Sequence, residues 1–102
     1  MPRRSLKLSP TLLQFRRDQG QRLRDLRHDS GYSLASVEHL TGVNKSTLGY
    51  AERGQQFIRM PELLTLAAFY DVSTQYIIEG GTLRRKLKTP LETVAAQVAE
   101  HH

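Results

Sequence analysis

Cysteine and tryptophan are both absent from the chain. The first absence excludes disulfides, thiolate catalysis and cysteine-based zinc sites, while saying little about compartment. Long apolar runs are missing as well, and nothing approaches the ~20 residues that a membrane-spanning helix requires. The opening "MPRRSLKLSP" holds no apolar segment of the kind that directs secretion, so a cytoplasmic location is expected. Strand signals are scarce, because no alternating β-branched or aromatic run is bounded by turn residues. Without strands there is also no strand-led glycine-rich loop to cradle a phosphate. Acidic residues are few where basic ones are dense. Between Arg3 and Arg27, eight Lys and Arg are opposed only by Asp18 and Asp25.

What is present is basic and helical. The 102 residues carry a formal charge of +5, enough length for one small domain with tails. Four further cations cluster at Arg84, Arg85, Lys86 and Lys88. Such clustering suits a polyanion partner, nucleic acid before an acidic membrane surface.

Helix signals recur along the chain. Ser9-Pro10 can open a first helix, with Leu12, Phe15, Gln19, Leu23 and Leu26 at 3–4 spacing. Gly20 interrupts that pattern, and Asp18 with Gln21 offers a second start near residue 18; Ser30-Gly31 ends it. Ser33 caps a second helix, Leu34–Thr41, and Asn44 caps a third, Lys45–Arg53, stopped by Gly54. After Met60-Pro61 comes an apolar helix, "ELLTLAAFY", and Ser73 caps a fifth, "TQYIIE", before Gly80-Gly81. Farther on, "TPLETVAAQVAE" has a capping box in Thr89, Pro90 and Glu92. Its Leu91, Val94, Ala95 and Val98 form an apolar stripe on a helix too short to stand alone. The expected plan is all-α: a basic arm over 1–10, a five-helix domain over 11–81, and a basic linker with a dimerisation helix over 82–102.

Two short helices joined by a glycine-containing turn, Gly42-Val43-Asn44, describe a helix-turn-helix. In that motif the second helix enters the DNA major groove with its N-terminal residues at the base edges. The reading explains an oddity of "KSTLGYAERG". Gly49 sits inside a helix, where glycine costs roughly 1 kcal/mol against alanine, and it would let the backbone approach DNA. Asn44, Lys45, Ser46 and Tyr50 are the candidate base readers, with Thr47 beside them, while Arg53 and Arg59 are suited to phosphates. Arg3 and Arg4, with Lys7, form a candidate arm along the duplex.

From "LRDLRHDSGYSLASVEHLTGVNKSTLGYAERG" onward the chain resembles the lambda-repressor and Cro type of regulator, the XRE family. The likeness rests on Arg27, Gly31-Tyr32-Ser33, Gly42-Val43, Ser46-Thr47-Leu48 and Glu52-Arg53-Gly54, and it continues through "LLTLAAFYDVSTQYII", covering about residues 19–80. It implies a compact five-helix fold, operator binding as a homodimer, and an ion pair between Arg27 and Glu52. Three positions depart from the pattern, one of them Ile58, where the proline usual after Glu52-Arg53-Gly54 is absent and Pro61 comes three residues later. Leu34 stands where the family commonly has a DNA-contacting Gln, and Glu38 stands where a small residue lets helices two and three cross. An unpaired carboxylate buried there would be costly, so Glu38 must reach solvent or a partner.

The expected function is a sequence-specific repressor of a palindromic operator, using no cofactor and no metal. At this length an added effector domain is not expected, which leaves control by concentration or by a protein partner such as a toxin or antirepressor. An antitoxin that also autoregulates its operon is the rival reading, and a protein adaptor reusing the fold is a third. An enzyme is not expected: His28 and His39 have no acid or nucleophile at a recognisable spacing. His101-His102 reads as a chain end or an added tag.

Overall fold

The computed structural model describes residues 7–81. Arg3 and Arg4, the Arg84–Lys88 cluster, the stripe of Leu91, Val94, Ala95 and Val98, and His101-His102 lie outside them. Among the described residues there are five helices and no strand: α1 Pro10–Ser30, α2 Leu34–Thr41, α3 Lys45–Glu52, α4 Met60–Tyr70 and α5 Thr74–Glu79. None of them is long and apolar enough to cross a membrane.

Side-chain caps set most of the starts. Ser9 Oγ accepts from the Leu12 amide at 3.2 Å, Ser33 Oγ from Ser36 at 3.0 Å, and Ser73 Oγ from Tyr76 at 3.0 Å. Each satisfies a donor that the helix geometry leaves unpaired. Helix α4 has no side-chain cap and relies instead on Pro61 in its first turn and on the charge of Glu62 there. The third helix is one residue shorter than the spacing suggests, with Arg53 as its C-cap.

The expected break in α1 does not occur. The helix runs unbroken from Pro10 through Gly20 to Ser30, so the alternative start near residue 18 is not used. Gly20 is there for packing: a Cβ on it would stand 2.1 Å from the Ala51 carbonyl oxygen and 3.0 Å from that of Glu52. The backbone of α1 therefore meets the carboxyl end of α3 directly, with no side chain between them.

Around that contact the core closes. Leu23, Val37, Leu48, Leu66 and Ile77, drawn from all five helices, are fully buried. Val43, Ile58 and Val72, from the connections, join them. Burying such side chains contributes roughly 1.5–3 kcal/mol each. Not every apolar position of α4 turns inward, since Leu64 stays 54% exposed.

Several basic residues of α1 are part of this framework. Arg16 Nε donates to the Gly54 carbonyl at 2.8 Å, and its guanidinium lies over the Phe57 ring. Arg22 donates to the carbonyls of Ile77 at 2.8 Å and Ile78 at 2.6 Å, near the end of α5. A cation there complements the negative end of that helix.

Candidate nucleic-acid interface

The turn between α2 and α3 is held at every residue. Gly42, at φ 81°, lies in the left-handed region that favours glycine, and its N–H donates to the Glu38 carbonyl at 2.8 Å. Val43 is buried, and its amide donates to Thr41 Oγ1 at 3.1 Å. Asn44 Oδ1 accepts from both Ser46 and Thr47, at 2.9 and 3.2 Å. Glu38 resolves the question of its unusual position by reaching across to α3, where its Oε2 accepts from the Lys45 amide at 2.8 Å. A carboxylate at a helix amino end is also favoured by the helix dipole. With the Leu48 amide donating to the Asn44 carbonyl at 2.9 Å, the first four N–H groups of α3 are all taken. An anion would find no free backbone donor there, so contact from this helix must come through side chains.

Glu38→Ala should accordingly lower stability by about 1 kcal/mol, the usual value of a helix-start acceptor. Thermal denaturation checks this, and a variant as stable as the parent would mean that water replaces the carboxylate without cost.

The far end of α3 is anchored to α1. Arg27 Nε and Nη2 donate to the two carboxylate oxygens of Glu52 at 2.8 and 2.9 Å, and Nη1 donates to the Tyr32 carbonyl at 2.9 Å. The side chains are only 12% and 4% exposed. The hydrogen bond to Glu52 raises the Arg27 pKa above its ordinary value against the opposing effect of burial. Nearby, burial and then the charge of Glu52 push the Tyr70 phenol up to about 12, with Arg27 partly countering them. A doubly anchored α3 presents a fixed outer face.

That face divides in two. Lys45, Ser46, Gly49, Tyr50 and Arg53 surround one hollow of about 240 Å³, closed on the α2 side by Leu34. The Arg53 guanidinium stacks 5.0 Å from the Tyr50 ring centroid, and its Nε donates to Gln55 Oε1 at 3.3 Å. Asn44 and Thr47 instead line a second hollow, of about 340 Å³, with Arg59 opposite them. Arg59 is bound to Glu62, whose hydrogen bond raises the arginine's pKa and lowers that of the carboxylate. Asn44 has committed its oxygen to the cap, which leaves its amide NH₂ for any other contact. Among the described residues no group of three or more His, Asp or Glu is placed to hold a metal ion.

Sequence reasoning missed the roles of Arg16, Arg22 and Glu38. For the arginines the one available signal was position, each adjoining a core-side residue of α1, Phe15 or Leu23. For Glu38 the signal was its departure from the family pattern.

Comparison with known proteins agrees with this geometry. The family model described as a helix-turn-helix domain matches residues 19–75. A Pyrococcus abyssi protein named as an HTH-type transcriptional regulatory protein is 35% identical over 52 residues, which are 51% of this chain and 16% of that protein. Among solved structures, the DNA-binding domain of S. venezulae BldD superposes with a TM-score of 0.58 at 30% identity, covering 64% of this chain and 97% of that one. The restriction-modification controller protein C.AhdI from Aeromonas hydrophila gives 0.56 at 34% identity, covering 60% and 92%.

Proposed function

The chain belongs to the helix-turn-helix family, as an XRE-like regulator, and from that premise we propose that it is a cytoplasmic transcriptional repressor reading double-stranded operator DNA through α3. The observation that carries this reading is the outer face of α3. It presents Lys45, Ser46, Tyr50 and Arg53 around Gly49, which is buried beside Leu34 and Arg53, on a helix fixed at both ends by Glu38, Asn44 and the Arg27–Glu52 pair. Lys45 and Ser46 supply donors for base edges, with guanine O6 and N7 suited to the lysine. Arg53 serves phosphates, and Arg59 does so when it releases Glu62. Arg3 and Arg4 add an arm along the duplex. The protein acts by binding rather than by catalysis.

Selection of bound fragments from a random DNA pool tests this directly, and failure to recover any preferred sequence would refute it. With the operator in hand, Lys45→Ala should relax preference at one base position at a cost of about 1–3 kcal/mol. Equal weakening on operator and random DNA would reduce Lys45 to a phosphate contact.

A homodimer on a palindrome is the natural way for so small a reading face to reach a unique site. Half-sites would lie one helical turn apart, ~34–36 Å, or a multiple of it. The stripe of Leu91, Val94, Ala95 and Val98 is the proposed interface. Truncation after Gly81 should then yield a folded monomer with much weaker operator binding. If the truncated chain still sediments as a dimer at the same concentration, the interface belongs to the five-helix domain.

A further inference from the structure

The helix-turn-helix match begins at residue 19, yet α1 begins at Pro10. The added turns carry Leu12, Leu13 and Phe15, and among the described residues none of these three joins the core around Leu23 or packs against it. A helix end with an apolar face gains its stability from whatever that face packs on. Leu12 and Phe15 stand one turn apart on the same side of α1, and Leu12 remains 46% exposed. Phe15 in turn lies two helical turns before Arg22, on that same side. Arg22 holds the end of α5 through Ile77 and Ile78, and a Cβ on Gly80 would come within 3.0 Å of its Nη1. The chain therefore leaves the five-helix domain, at Gly81, on the side of α1 that carries Phe15 and Leu12. Phe15 is only about 10 Å along the helix from that exit.

Charge is complementary between this face and the tail. Residues 7–17 hold Lys7, Arg16 and Arg17 with no acid, whereas residues 89–100 hold Glu92 and Glu100 with no Lys or Arg. Two such tails set side by side would bring like charges together, while the start of α1 attracts either one. The tail also needs a surface that is already folded, because a helix of its length is marginal by itself. Resting on the homodimer proposed above, we infer that the stripe of Leu91, Val94, Ala95 and Val98 in each copy docks on the Leu12–Phe15 face of α1 in the other. The two copies then exchange identical segments about their twofold axis, a closed and self-complementary arrangement. Residues 82–88 reach up to about 23 Å when extended, enough to carry the stripe across to a neighbouring copy. The first turns of α1 are thereby the receiving half of the dimer interface, which explains an apolar face that the five-helix core leaves unused.

The absence of cysteine makes the full-length chain suitable for a cross-linking test. Leu12→Cys and Val94→Cys are prepared separately, one with a longer tag, then mixed and treated with a short bismaleimide. A mixed product, larger than either chain and joining position 12 of one to position 94 of the other, should dominate over both self-linked products. In sedimentation of the untreated chain, Leu12→Asp should weaken the dimer about tenfold or more, since it sets a carboxylate against an acidic tail. Leu12 is half exposed, so that variant should melt as the parent does, and Leu12→Ala replaces it if it does not. Linkage between two copies of Val94→Cys, with none between 12 and 94, would overturn the inference and leave the homodimer standing. A dimer as tight as the parent's after substitution at Leu12 would overturn it too. If the double variant Leu12→Cys with Val94→Cys links only within one chain, the tail folds back on its own α1, and the exchange falls. A parent chain that sediments as a monomer would defeat both the inference and the dimer on which it rests.

Discussion

Arg27→Ala is expected to lower the melting temperature by more than about 10 °C while leaving operator preference unchanged in whatever fraction remains folded. The substitution abandons Glu52, whose side chain is only 4% exposed. Removing one partner of a buried ion pair costs about 3–5 kcal/mol, because the other charge stays desolvated without compensation. Arg27 also holds the Tyr32 carbonyl at 2.9 Å, so the approach to α2 loosens as well. Replacing both partners removes the orphaned charge, and Arg27→Met with Glu52→Leu should be more stable than Arg27→Ala alone. Thermal melts of the variants, followed by competition binding at a temperature where each is folded, check the whole expectation. Unchanged melting with altered operator choice would make Arg27 a DNA contact instead.

Gly20→Ala is expected to act against helix propensity. In an exposed helix interior the same exchange gains roughly 1 kcal/mol. Here the new Cβ would lie 2.1 Å from the Ala51 carbonyl oxygen, which belongs to backbone and cannot rotate aside. Helices α1 and α3 must separate, opening the core around Leu23 and Leu48, and overpacking of this kind costs about 1–3 kcal/mol or more. Chemical denaturation should show a midpoint well below the parent. Gly49→Ala, by contrast, should match or exceed the parent. If the two alanine variants prove equally stable, the direct backbone contact between α1 and α3 is not what holds the helices together.

These two glycines illustrate how far sequence reasoning reaches. Both were visible as glycines in helical patterns, one suggesting a break at 20 and the other a bare face at 49, yet α1 runs through the first and the second is buried. Their difference lies in what stands opposite, and Ala51 is distant in sequence from Gly20. The α1 arginines show the same limit. As a cluster they suggest a polyanion, yet Arg16, Arg22 and Arg27 are each tied to the protein itself, at Gly54, Ile77 and Glu52. For Arg27 the family pattern supplied the partner. For the other two no spacing rule links residues 38 and 55 positions apart.

The amino-acid sequence by itself determined the helices and most of their ends, the turn at Gly42-Val43-Asn44 and the choice of face on α3. The reason is that caps and turns are hydrogen bonds between residues two to five apart, and amphipathic spacing is a local pattern. Ser9, Ser33, Asn44 and Ser73 cap their helices through such bonds. Only the tertiary structure decided that α1 runs through Gly20, that Glu38 closes the start of α3, and that Leu34 comes to lie beside Gly49. Each of those facts depends on which helices meet and how closely, and that follows from burial of a core drawn from all five helices at once.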